Sequence, residues 1–157
     1  MTPRPQYEAP AYRGSAKLKD KVALITGGDS GIGRAVAVLF AREGANIAIV
    51  YMQEEQADAE ETRAAVEREG GKCLLLPGDV RRAAFCRQTV TKTVRRLGRL
   101  DSLIVKAIRP RALRHALDTI KSEYPCLSKI AAVSIVGSVK RTLSRPRTPK
   151  GSELVKC

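Results

Sequence analysis

Apolar residues fall along this chain in two alternating styles: short unbroken runs, and stripes spaced by three and four. Lys21–Thr26 (KVALIT) is a short β-branched run, and its length predicts a buried parallel strand. From Gly31 to Glu43 the apolar positions Ile32, Val36, Leu39 and Phe40 share one helical stripe, and Gly44 stands where a helix-ending glycine belongs. Asn46–Tyr51 repeats the strand signal. Residues 54–69, rich in Ala and Glu, predict a solvated helix ended by Gly70-Gly71. Cys73–Pro77 reads as a third strand, residues 81–97 as a basic amphipathic helix ended by Gly98, and Leu100–Val105 as a fourth strand. The rhythm β-α-β-α-β-α-β with short links predicts right-handed crossovers and a parallel sheet. The fold class is therefore α/β, about four strands of a Rossmann-type doubly wound sheet.

Outside that stretch the pattern weakens. Residues 1–19 are polar and Pro-rich, and predict an extended, poorly ordered arm. After Val105, residues 109–123 suit a helix bracketed by Pro110 and Pro125, and Ile130–Val139 suits one more strand. Residues 140–157 have no apolar period and read as disordered. The organisation expected is an arm (1–19), a dinucleotide-binding half-domain (20–105) and a divergent basic tail (106–157). If the sheet stops at four strands, the fourth is an exposed edge that invites aggregation.

Charge sharpens this division. The net charge is +13 over 157 residues. Residues 1–105 hold 17 Lys and Arg against 13 Asp and Glu, a net +4, while residues 106–157 hold 12 against 3, a net +9. A basic tail is supported, and a basic domain is not. Without aromatic interleaving or a reader motif, a nucleic-acid partner is disfavoured for the patch around Ser144, Arg145, Arg147 and Thr148. No apolar run approaches membrane-spanning length and no secretory signal opens the chain, so a cytoplasmic protein without a membrane partner is expected. The four cysteines (Cys73, Cys86, Cys126, Cys157) form no C-x-x-C pair, and His115 is the one histidine. Free thiols are expected, and no metal site.

The chemistry sits where the first strand meets the first helix. Thr26-Gly27-Gly28-Asp29-Ser30-Gly31-Ile32-Gly33 spaces its glycines as G-x-x-x-G-x-G. Gly27 suits a tight turn, Gly31 a close approach of backbone to a pyrophosphate, and Gly33 close packing of helix on strand. The helix then presents N–H groups and a positive dipole end to the phosphates. A glycine loop alone is weak evidence; its place between a strand and an amphipathic helix gives it meaning.

The stretch KVALITGGDSGIGRAVAVLFAREGANIAIVY resembles the short-chain dehydrogenase/reductase family, whose loop reads T-G-x-x-x-G-I-G. The YRGSAKLKDK arm resembles its glucose/ribitol-dehydrogenase-like or general-stress oxidoreductase subgroup. The likeness runs from about Tyr12 to Val105. It implies an NAD(P)-dependent oxidoreductase with NAD or NADP on Gly27, Asp29, Ser30, Gly31, Ile32 and Gly33. It also implies that Asp79 and Val80 meet the adenine ring; Asp79 could equally cap the next helix. Cofactor choice is poorly marked: Tyr51 stands where an acid would grip the ribose of NAD. Arg34 could reach a phosphate, or be a solvated helix charge.

The family's later motifs are absent. Its Asn-Asn-Ala-Gly is replaced by Val105-Lys106-Ala107-Ile108. Its reaction needs a serine and a Tyr-x-x-x-Lys pair, in which Lys lowers the Tyr pKa for proton transfer. The tyrosines are Tyr7, Tyr12, Tyr51 and Tyr124, and Ser128 stands four after the last. Ser134 or Ser138 could imitate the family's serine. No catalytic residue is assigned. Intact relatives are expected to be homo-oligomers, an expectation that does not carry over to a chain without their second half. Two readings remain: a dehydrogenase broken by frameshift or truncation near residue 105, or a catalytically silent dinucleotide-binding module whose basic tail recruits an acidic partner.

Overall fold

A computed structural model describes residues 7–105 and the strand 131–134. Five parallel strands form one sheet: β1 (Val22–Thr26), β2 (Asn46–Tyr51), β3 (Cys73–Pro77), β4 (Ser102–Val105) and β5 (Ala131–Ser134), in the order β3-β2-β1-β4-β5. Helix α1 (Gly31–Arg42) links β1 to β2, α2 (Gln56–Arg68) links β2 to β3 after a 3-10 turn at Gln53–Glu55, and α3 (Ala83–Leu97) links β3 back to β4. The strand order reverses at β1, so the crossovers place helices on both faces.

Each face has its own core, because alternate strand residues point to opposite sides. Ala23, Ile25, Ile47, Ile49 and Tyr51 pack under Ala37 and Ala41 of α1 and Ala59 and Val66 of α2. Val22, Leu24, Ala48, Val50, Leu103 and Val105 pack under Val90 of α3, with Val94 and Leu97 beside it. All five residues of β1 are buried, as a central strand covered on both faces requires. The end of α3 is closed by Gly98 in a left-handed conformation (φ 87°).

Three sequence expectations change. The fourth strand is not an edge: β5 pairs along its length, Ser102 opposite Ala131 through Val105 opposite Ser134. The run 130–139, read as suiting one more strand, contributes β5 at Ala131–Ser134. The buried face of α1 is not the stripe of Ile32, Val36, Leu39 and Phe40; Gly33, Arg34, Ala37, Val38 and Ala41 are buried, and Ile32 is 56% exposed. Small side chains let the helix lie close to the sheet; Val36 and Phe40 stay partly buried against the same core, while Ile32 turns outward. Finally, residues 7–19 form no helix or strand but are held against α1. Glu43 accepts hydrogen bonds from the Tyr12 hydroxyl and from the Ser15 and Lys17 amides, both at 3.0 Å. Arg42 donates to the Ala9 carbonyl at 2.6 Å. The helix expected over 109–123 and the tail of 140–157 lie outside the described residues. No helix among the described residues is long and apolar enough to cross a membrane.

Candidate functional site

Parallel strands all end on one side, and here their ends are tied together there. The Gly27 amide donates to the Val50 carbonyl at 2.7 Å, and the Gly78 amide to the Tyr51 carbonyl at 2.9 Å. Thr26 lies level with Val50 and Val105, and Val105 with Ser134. The glycine loop, Tyr51, Asp79 and Ser134 are thereby gathered along one sheet edge, beside the point where strand order reverses. Open α/β sheets bind ligands at such an edge.

The loop turns through two left-handed positions, Gly27 (φ 64°) and Gly31 (φ 52°). A Cβ at Gly33 would lie 1.9 Å from the Gly27 carbonyl oxygen, and one at Gly28 would lie 2.5 Å from Ile49 Cγ2. Helix and loop are therefore in backbone contact at Gly33, whose neighbours are Gly27 and Gly28 of the loop rather than the strand. Ser30 is the N-cap residue in extended conformation, and its side chain does not cap the helix. The first N–H groups of a helix have no intrahelical acceptor. Over α1's 12 residues they add to a positive end aimed out of the loop. Ile32, the exposed residue of this first turn, offers an apolar surface beside it.

Arg34 differs from both sequence readings. It is 7% exposed, so it is not a solvated charge, and its guanidinium is turned to the loop backbone and to α2. Its Nε and Nη2 donate to the Asp29 carbonyl at 3.0 and 2.7 Å, and Nε also donates to Thr62 Oγ1 at 2.9 Å. Nη1 pairs with Glu61 at 2.9 Å. The Thr62 hydroxyl donates to the same Asp29 carbonyl at 2.9 Å. Asp29 itself is 2% exposed, so the loop's centre is anchored inward. Sequence inspection missed this role because the acceptor is a backbone carbonyl, which leaves no residue signature.

At the end of β2, Tyr51 is 3% exposed, part of the core under α2, and donates its hydroxyl to Gln56 Oε1 at 2.6 Å. Burial raises its pKa. Its side chain faces inward; the first outward residue is Met52, 40% exposed, and Glu54 and Glu55 follow Gln53 in the 3-10 turn. At the end of β3, the Asp79 carboxylate accepts from the Arg81 amide at 2.9 Å and from Arg81 Nε at 2.7 Å. The Arg81 guanidinium holds its pKa below the ordinary aspartate value. Asp79 braces a turn ahead of α3 and does not cap it, since the N-cap is Arg82. Val80 is half-buried and packs with Phe85 against the α3-side core, lining with Cys86 and Thr89 a cavity of about 20 Å³. Ser138, His115 and Tyr124 lie outside the described residues.

Comparison with known proteins agrees with this geometry and extends it. The family model for short chain dehydrogenase matches residues 21–142, so the likeness extends well beyond Val105. General stress protein 39 of Bacillus subtilis is 61% identical over 107 residues, covering 68% of this chain and 37% of that protein. The uncharacterized oxidoreductase YhxD of the same organism is 40% identical over 155 residues, 99% of this chain and 51% of its own length. The crystal structure of levodione reductase superposes with a TM-score of 0.66 at 28% identity, covering 75% of this chain and 54% of that one. The chain thus spans about half or less of the length of the relatives it matches. A glycine loop between β1 and α1, a sheet reversing at β1 and a family match over most of the chain lead to one conclusion: this chain belongs to the short-chain dehydrogenase/reductase family of oxidoreductases.

Proposed function

We propose that the described domain binds NAD or NADP at the C-terminal edge of its sheet, as the dinucleotide-binding half of an NAD(P)-dependent oxidoreductase. The observation that carries this reading is the Gly33–Gly27 contact, which brings the first turn of α1 against the loop with no side chain between them. Gly27, Asp29, Ser30, Gly31, Ile32 and Gly33 line the pyrophosphate position, where backbone N–H groups and the helix dipole favour a negative charge. Asp79 and Val80 flank the adenine position, with Val80 supplying apolar contact and the Asp79 turn fixing the rim. Tyr51 contributes the strand end but not its side chain. Selection between NAD and NADP passes to Met52 and the turn after it, where Glu54 disfavours a 2′-phosphate. When bound, the dinucleotide would supply the hydride-accepting ring; this chain's residues hold and orient it.

The 157 residues contain no Tyr followed four positions later by Lys, and we assign no proton-transfer residue. Binding without catalysis by this chain alone is therefore the reading favoured over full turnover. Titrating the chain into NADH and NADPH and following nicotinamide fluorescence tests it. Saturable enhancement that unlabelled NAD or NADP reverses is expected. A flat response to both from folded protein would refute it.

A further inference from the structure

We propose that the N-terminal arm is part of the dinucleotide site's scaffold: Tyr7 holds Arg34, and Arg34 fixes the glycine loop, so loop order and cofactor affinity depend on a segment that does not touch the cofactor. The inference rests on the dinucleotide reading of the loop for its second half only. Arg34 is the positioning residue. Its guanidinium makes two bonds to the Asp29 carbonyl and one to Thr62, and it also donates to the Asp58 carbonyl at 3.1 Å. A guanidinium is planar and donates in fixed directions, so partners on α2 dictate where the loop carbonyl must sit. Asp29 lies between the two left-handed glycines, and a shift of its carbonyl would rotate the peptide that leads into the N-terminus of α1.

What covers this guanidinium is the arm. The Tyr7 ring lies 5.2 Å from the Arg34 guanidinium carbon, within cation–π range, and the Tyr7 hydroxyl donates to Glu61 at 3.4 Å. Glu61 also pairs with Arg34 at 2.9 Å, beside a longer pair to Asp58 at 3.4 Å, so ring and hydroxyl close around the Arg34–Glu61 pair. The arm is fastened at other points that do not involve Arg34: Arg42 to the Ala9 carbonyl, Tyr12 to Glu43, and Arg68 to Glu8 at 3.5 Å. These contacts bring Tyr7 to α2 and leave it to shield Arg34 from water. Shielding strengthens the guanidinium's bonds to the loop, because competing water weakens them.

The test uses the full chain with Tyr7→Ala, Tyr7→Phe and Arg34→Lys. Amide hydrogen exchange across residues 27–33 reports loop order without any cofactor, and fluorescence titration with NADH and NADPH reports affinity. Tyr7→Ala should speed exchange in 27–33 and weaken dinucleotide affinity about two- to thirtyfold, the span of a cation–π contact from exposed to desolvated. Tyr7→Phe, which keeps the ring, should restore most of both. Arg34→Lys, which cannot make the forked bonds, should exceed Tyr7→Ala in both readouts. Exchange in 27–33 unchanged by Tyr7→Ala overturns the proposal, as does a loss confined to thermal stability with affinity intact. If the parent chain binds neither dinucleotide, the functional reading falls, and the exchange data alone decide whether the arm orders the loop.

Discussion

Gly33, on the first turn of α1, lies against the carbonyl of Gly27 so closely that a Cβ would sit 1.9 Å from that oxygen. The neighbour is backbone, fixed at one end by the bond from the Gly27 amide to Val50, so it cannot yield as a side chain would. Gly33→Ala must push α1 away from the loop. Overpacking of this kind costs about 1–3 kcal/mol. The variant is expected to unfold at lower denaturant and to lose dinucleotide binding by more than its stability loss explains. Chemical denaturation and NADH titration on the same preparation measure both.

Loss of a core side chain should act differently. Leu24 is 2% exposed in the α3-side core, level with Ala48 on β2 and Leu103 on β4. Leu24→Ala is expected to cost about 2–5 kcal/mol. Since Leu24 points away from the glycine loop's helix, dinucleotide affinity of the remaining folded fraction should hold. Urea unfolding with affinity measured below the transition checks this.

Acid should release the arm. Glu43 has its pKa lowered to about 2, first by the Tyr12 hydroxyl and then by the Lys17 amide. A depressed carboxylate pKa stabilises the fold above the group's ordinary value of 4.5, and that contribution is lost as pH falls from there toward about 2. Proteolysis of the arm is therefore expected to accelerate across that window, and Glu43→Gln is expected to show fast cleavage already at neutral pH. An arm equally protected in parent and variant would contradict the assignment.

Hydride transfer by this chain alone should be absent or very slow. No tyrosine here has a lysine four residues on, and missing general acid–base catalysis costs about 10²–10⁴ in rate. Assays with NAD and NADP against sugars, polyols and short aldehydes, following absorbance of the reduced cofactor, are expected to stay at background. Ordinary turnover abolished by Gly31→Asp would show a proton relay built from other residues.

Much of this architecture could be read from residue order. Strand runs such as Asn46–Tyr51 and Cys73–Pro77 are short, apolar and glycine-bounded, and they fall where the spacing predicts. The loop was legible because glycine spacing encodes backbone conformation directly. The buried face of α1 was not: Ile32, Val36, Leu39 and Phe40 outrank Ala37 and Ala41 in apolarity, yet close helix–sheet packing selects for small side chains. Arg34 was misread because its loop acceptor, the Asp29 carbonyl, leaves no side-chain signature, and its side-chain partners Thr62 and Glu61 lie on a different helix, far off in sequence. β5 was only half visible, since Ala131–Ser134 carries too little bulk to stand out until it is seen paired with β4.

The central claim is that a dinucleotide sits on the β1–α1 loop. It is tested most directly by amide chemical-shift mapping of the isotopically labelled chain titrated with NAD and then with NADP. The prediction is saturable shifts centred on Gly27, Gly31, Ile32 and Gly33, with a second group at Asp79 and Val80, and none of either in Gly31→Asp. Saturable shifts located elsewhere, or no shifts from a folded chain at saturating dinucleotide, would contradict the account.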